Sequence, residues 1–279
     1  MPQKPTHNAT QNTSQNTATH ADAVMAARRK QARENMDAGL DFRPAGKLSC
    51  RYLICSTERS GSSLLADMLS NTGMAGRPME YFNKLYVDTW NAGASPSLEA
   101  YLSHLQQRRT TPNGIFGVKA HLRQVLRVLG EQPLQKLPGL FRQFDKFIYI
   151  ERRNKLAQAV SLARARSTGL WNSKYASHIP AAQAEPQFNP GTISRALDDI
   201  IGENKDWQNL IASHGLDVRK LFYEDLAADP QGTVSTIVEW LGGDITALPQ
   251  VATSLSRQRD RHSDDFAARF LDYINGTRD

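Results

Sequence analysis

The stretch YLICSTERSGSSLLADMLSNTG, Tyr52–Gly73, decides the fold. Its opening reads as a buried strand, STERSGSS (56–63) as a Ser/Gly-rich turn, and the remainder as an amphipathic helix closing on Gly73. A strand, a tight turn and a helix N-terminus in succession aim backbone N–H groups at one point, where an anion is held. A Walker A loop, G-x-x-x-x-G-K-[ST], also ends in a lysine, and here no Gly-Lys pair closes the turn; Arg59 precedes it instead.

Outward from this stretch, strand patterns alternate with helix patterns. RYLIC, GIFGVKA, KFIYIE and DVRKLFY are rich in β-branched and aromatic residues. Between and after them, LEAYLSHLQQRR, HLRQVLRVLG, NKLAQAVSLARARSTG, TISRALDDIIGENKDWQNLIASHG and PQGTVSTIVEWLGG have helical character. Such alternation predicts an α/β fold: a P-loop-type parallel sheet flanked by helices on both faces, with ligands at the carboxyl ends of the strands. Residues 48–279 are expected to form a single domain, and 1–47 a disordered or helical basic tail. Within that tail the Asn/Gln/Thr-rich 1–21 is expected to be disordered and ADAVMAARRKQARENMDAGL helical and dispensable for folding. The segment 172–191, NSKYASHIPAAQAEPQFNPG, has the length of a functional lid.

Of 279 residues, 40% are hydrophobic, enough for one substantial core, and the net charge is +6. Residues 1–50 hold seven Lys/Arg against four Asp/Glu, so half of that excess sits in the tail. The remainder is mildly basic with no aromatic-interleaved stripe, which suits a small polyanion and argues against nucleic acid. Cys50 and Cys55 suggest no disulfide framework, and Cys55 reads as a buried, inert thiol. With no apolar run of membrane-spanning length and no apolar leader, the expectation is a cytoplasmic protein whose basic tail permits peripheral membrane contact.

Three elements carry chemistry. Arg59, Ser60, Gly61, Ser62 and Ser63 form the anion cradle: amides, hydroxyls and one fixed guanidinium, with Gly61 allowing close approach. IERRNKLAQAVS ends a strand in Arg152 and Arg153 and carries Ser161 on the next helix, which suggests a second anion site on the same sheet edge. In GRPMEYFN, Glu80 precedes Tyr81 and Phe82. Aromatic neighbours that exclude water would raise its pKa toward that of a general base, while an exposed loop carboxylate is the ordinary alternative.

In this order, TERSGSSLL, GRPMEYF, GIFGVK, ERRNKLAQAVS and SRQRDRHSDDF resemble the Stf0-like bacterial sulfotransferases, from about Arg51 to Tyr273. The resemblance implies 3′-phosphoadenosine-5′-phosphosulfate (PAPS) as sulfuryl donor, leaving PAP. Arg59, Ser60, Gly61, Ser62 and Ser63 then take the 5′-phosphosulfate, with Arg59 also catalytic, and Arg152 and Ser161 take the 3′-phosphate. Glu80 becomes the general base, and Arg257 and Arg259 belong to a basic segment closing over the nucleotide. Lys119 matches a position near the site. The implied reaction is in-line sulfuryl transfer, without a metal, to a hydroxyl of a carbohydrate or glycolipid, in an enzyme for which a homodimer would be ordinary. A sulfuryl group carries less charge than a terminal phosphoryl group, so backbone donors and Arg59 can replace the kinase metal. The rivals are a P-loop kinase using Glu151 as its Walker B acid and a catalytically silent nucleotide-binding module.

Overall fold

The computed structural model describes residues 8–43, 47–90, 97–171, 186–255 and 261–276. In chain order the helices are α1 (Asn8–Asn35), α2 (Ser62–Asn71), α3 (Lys84–Trp90), α4 (Leu98–Arg109), α5 (Leu122–Leu129), α6 (Pro133–Phe141), α7 (Lys155–Thr168), α8 (Pro190–His214), α9 (Tyr223–Ala228), α10 (Pro230–Trp240) and α11 (Arg261–Ile274). The strands are β1 (Cys50–Ser56), β2 (Ile115–His121), β3 (Lys146–Glu151) and β4 (Val218–Phe222).

The strands form one parallel sheet in the order β2-β1-β3-β4. Sheets of this kind are covered on both faces, which is why Tyr52–Cys55 is an unbroken apolar run with every residue fully buried. Successive side chains of β1 serve opposite cores. Tyr52 and Ile54 join Leu65 and Leu69 of α2 and Val234 and Ile237 of α10 on one face. Leu53 and Cys55 join Val125 of α5, Leu137 of α6 and Trp207 of α8 on the other. The helices that follow β1 and β3 therefore leave the sheet toward opposite faces, α2 one way and α7–α8 the other. A crevice opens between them at the carboxyl ends of the strands. Register brings Ser56 level with His121 of β2 and Ile150 of β3, so the loops beyond them start at one edge.

The two cysteines are buried free thiols, and burial pushes the Cys55 thiol up, as an inert core residue requires. No helix among the described residues is long and apolar enough to cross a membrane. The long strand and helix patterns fall where the periodicity places them, α4 and β3 to the residue. Four helices, α3, α6, α9 and α11, have no counterpart in the reading of the sequence. In α6 an internal Pro138 hides the pattern, and burial of Leu137, Leu140 and Phe141 outweighs the bond it forfeits.

The N-terminal segment departs most from expectation. Helix α1 starts at Asn8, inside the stretch expected to be disordered, and its end is built into the domain. Ala32 and Asn35 are buried. Arg109 of α4, also buried, donates to the Asn35 and Asp37 carbonyls at 3.4 and 3.0 Å and pairs with Asp41 at 3.4 Å. Arg108 holds the other oxygen of Asp41 at 2.7 Å. A segment that supplies the partners of a buried guanidinium is part of the core.

Candidate active site

The turn after β1 is fixed by two side chains that make three hydrogen bonds to it. Trp207 Nε1 donates to the Ser56 carbonyl at 3.1 Å, and Gln158 Nε2 of α7 donates to Thr57 Oγ1 at 2.8 Å and to the Glu58 carbonyl at 2.7 Å. Arg59 takes φ +62° and Gly61 φ +92°, so the chain passes twice through the left-handed region before α2 begins. At Gly61 a Cβ would stand 2.5 Å from Tyr223 Cδ2. The room glycine leaves is thus filled by a ring from the end of β4, whereas the sequence suggested approach of an anion.

The amides of Ser62, Ser63 and Leu64 open α2 with no side-chain cap and no acceptor among the described residues. They form the cradle. Ser60 is placed differently from expectation: its amide is spent on the Thr57 carbonyl at 3.4 Å, and its buried hydroxyl lacks a partner among the described residues. Arg59 Nε donates to Ser161 Oγ at 2.9 Å, and its Nη1 to the Trp171 carbonyl. Burial, then the nearby charge of Arg152, push the Arg59 pKa down to about 10, which leaves it charged at neutral pH. The Arg152 guanidinium lies 4.9 Å from the centroid of the same Tyr223 ring that abuts Gly61. The two predicted anion elements are therefore adjacent, and Ser161 joins them through Arg59. Arg153 turns away to a bidentate pair with Asp225, 2.7 Å for both bonds. Arg257 and Arg259 lie outside the described residues, as does most of the 172–191 segment.

The Glu80 loop is fastened to β2. Met79 bridges Val118, and the Lys119 amide donates to the Met79 carbonyl at 2.9 Å. That registration sets Glu80 against Lys119, whose Nζ donates to Glu80 Oε1 at 2.7 Å and to Ser63 Oγ at 2.8 Å. A lysine does reach the cradle, then, from a neighbouring strand rather than from the loop itself. Gln124 donates to Glu80 Oε2 at 2.8 Å, and His121 Nε2 lies 3.6 Å from Oε1. Tyr81 and Phe82 point into the core. Burial pushes the Glu80 carboxyl up, but Lys119 and His121 outweigh it and hold the group well below the usual carboxylate range. The expectation of a pKa raised by aromatic shielding is corrected accordingly. His121 moves the opposite way: burial lowers its pKa, and the Glu80 carboxylate more than restores it.

Cradle, Arg152, Lys119 and Glu80 line one cavity of about 940 Å³. Sequence reasoning missed His121, Gln124, Gln158 and Tyr223, whose partners are distant in the chain; only their positions after strands hint at them. Glu151, the candidate Walker B acid, is held by Lys155 at 2.9 Å and Lys220 at 2.8 Å.

The chain is 26% identical over 254 residues to a trehalose 2-sulfotransferase of Mycobacterium tuberculosis, covering 78% of this chain and 93% of that protein. It is 25% identical, with the same coverage, to the trehalose 2-sulfotransferase of Mycolicibacterium smegmatis. The crystal structure of a sulfotransferase from Alicyclobacillus acidocaldarius aligns over 83% of this chain and 97% of that one, at 14% identity and a TM-score of 0.42. The family model for Stf0 sulphotransferase matches residues 51–272, and the chain belongs to that family of sulfotransferases.

Proposed function

We propose that the protein transfers the sulfuryl group of PAPS to a hydroxyl of a carbohydrate acceptor, with Glu80 as general base. The observation that carries this reading is Lys119, which bonds at once to Ser63 of the cradle and to Glu80. The cavity fits a nucleotide with two anionic ends. The bare α2 amides and Arg59 suit one, Arg152 the other, and the mutual repulsion of Arg59 and Arg152 is relieved by the charge they bind. The donor supplies an activated sulfuryl group, and the chain's residues do the rest. The α2 amides, Ser63 and Arg59 stabilise negative charge at the cradle.

Glu80 takes the proton of the acceptor hydroxyl. Paired as tightly as it is with Lys119 it is a weak base, and Lys119 supplies the remedy. Negative charge on the cradle competes for the ammonium that Ser63 already holds, which returns basicity to Glu80. The lysine pair on Glu151 counts against a Walker B role and hence against the kinase reading. The trehalose named for the relatives makes a disaccharide the first acceptor to try. Incubation with PAPS and trehalose, read as PAP release and as the mass gain of one sulfate on the sugar, tests the proposal. PAP that fails to bind would overturn it.

A further inference from the structure

Helix α1 lies outside the family-matched residues 51–272, yet one of its faces lines the cavity. Arg28, Gln31, Ala32 and Asn35 follow the i, i+3, i+4, i+7 spacing that puts four side chains on one side of a helix. Ala32 and Asn35 are buried anchors, and Asn35 Nδ2 donates to Tyr86 Oη of α3 at 2.6 Å. The opposite face, with Arg29, Lys30 and Arg33, is exposed.

The last two turns of the helix lie along the cavity. Arg28 lies 6.0 Å from the centroid of Trp171, whose carbonyl accepts from Arg59 of the cradle. Val24 packs on Gly169, where a Cβ would stand 2.8 Å from its methyl groups. At its end the helix reaches Tyr86 of α3, and the Glu80 loop lines the same cavity. Gln31 sits between these contacts, half-buried, and bonds to no other described residue. A half-buried amide facing a cavity is a recognition group awaiting a polar ligand.

We infer that α1 is the acceptor-side wall of this cavity, and that Arg28, Gln31 and Asn35 hold a polyhydroxylated, sugar-like acceptor in the part of it floored by Glu80. This rests on the proposed sulfuryl transfer to carbohydrate and adds the residues that select the acceptor. The chemistry fits that class. A guanidinium donates to neutral hydroxyls and side-chain amides both donate to and accept from them, while Leu40 and Met79, which line the same cavity, offer apolar surface to the C–H face of a sugar ring.

The test uses the full chain and trehalose, maltose and sucrose as probes, with binding read by calorimetry on protein with and without PAP. Arg28→Ala and Gln31→Ala are compared with wild type, and Arg29→Ala on the exposed face serves as control. Loss of a neutral hydrogen bond at Gln31 is expected to weaken disaccharide binding by about 3–10-fold, and loss of the charged donor at Arg28 by about 10–100-fold. KM for the acceptor rises to match, kcat moves little, and PAP affinity and melting temperature stay at the wild-type and Arg29→Ala values.

Unchanged disaccharide affinity in both variants overturns the inference. So does a parallel loss of PAP affinity, which would put α1 on the donor side, and so does a wild type that binds PAP but none of the disaccharides. A wild type that binds no PAP overturns the proposed function instead, and the disaccharide titrations without nucleotide still decide the role of α1.

Discussion

Glu80 Oε1 and Lys119 Nζ lie 2.7 Å apart, and the same ammonium lies 2.8 Å from Ser63 Oγ. One cation is thus shared between the group that would accept a proton and the cradle that would hold the donor. Glu80→Gln keeps the shape of the side chain and its contact with Lys119 but removes the proton acceptor. Turnover is expected to fall by about 10²–10⁴-fold with PAP affinity nearly intact. Single-turnover rates and calorimetry on the same preparation check this, and retained turnover with retained binding would remove Glu80 as base.

The pH dependence follows from the direction of the Glu80 shift. The base is competent only when ionised, which is above its pKa. Lys119 and His121 hold that pKa well below the usual range. An ordinary glutamate titrates near about 4.3, so kcat/KM of the wild type should show no rising limb due to Glu80 above about pH 5. Lys119→Met removes the strongest of the lowering influences and leaves burial opposed by His121. The variant should gain a rising limb at higher pH, on top of its lower rate. A wild-type limb centred above the ordinary glutamate value would contradict the geometry.

Arg152→Ala is expected to weaken PAP by about 2–3 kcal/mol, the worth of a charge-assisted bond, and to leave ADP affinity almost unchanged. Competition between the two nucleotides, measured calorimetrically, reads this directly. Equal PAP and ADP affinity in the wild type would mean that Arg152 serves no 3′-phosphate.

Gly61→Ala places a methyl group 2.5 Å from Tyr223 Cδ2 on a backbone held at φ +92°. Strain of this kind costs about 1–3 kcal/mol, and relieving the contact means displacing the ring on which Arg152 is stacked. Both melting temperature and PAP affinity should fall, while an alanine at the equally left-handed Gly215, where a Cβ has open space, should cost stability alone.

Removing residues 1–47 strips the buried Arg109 of the Asn35 and Asp37 carbonyls and of Asp41. An uncompensated buried charge costs about 3–5 kcal/mol, so the shortened chain should unfold at markedly lower denaturant concentration. A truncated protein with the full-length midpoint would restore the reading of a dispensable tail.

What could be read from the sequence is what is written locally. The β1–α2 turn, with Arg59 and the serines in eight residues, suggests an anion site because strand, turn and helix start are contiguous. Arg152 is legible because it ends a strand in the same sheet. Glu80 is legible as a carboxylate but not in its electrostatics, since the groups that set its pKa, Lys119 and His121, come from a strand about forty residues on. Tyr223 and Gln158 act on the cradle from more than ninety residues away, and no periodicity reports such pairings. Of helix α1 the helical character from Ala21 onward was legible but its docking was not, because the docked face contains Arg28, Gln31 and Asn35 and does not look hydrophobic.

The Tyr223 ring stands between Gly61 and Arg152, in contact with the turn on one side and under the guanidinium on the other. It works as a gauge block. Under the proposed function its size would set how far the cradle and the Arg152 seat stand apart, so that the span of a ligand would count as well as its charge. A nucleotide with two phosphates in tandem at one end carries the charge without the span, and one phosphorylated at both ends of its ribose carries both. Discrimination of that kind would depend on an uncharged residue, and it would be retuned by changing the size of that ring rather than by adding or removing an arginine.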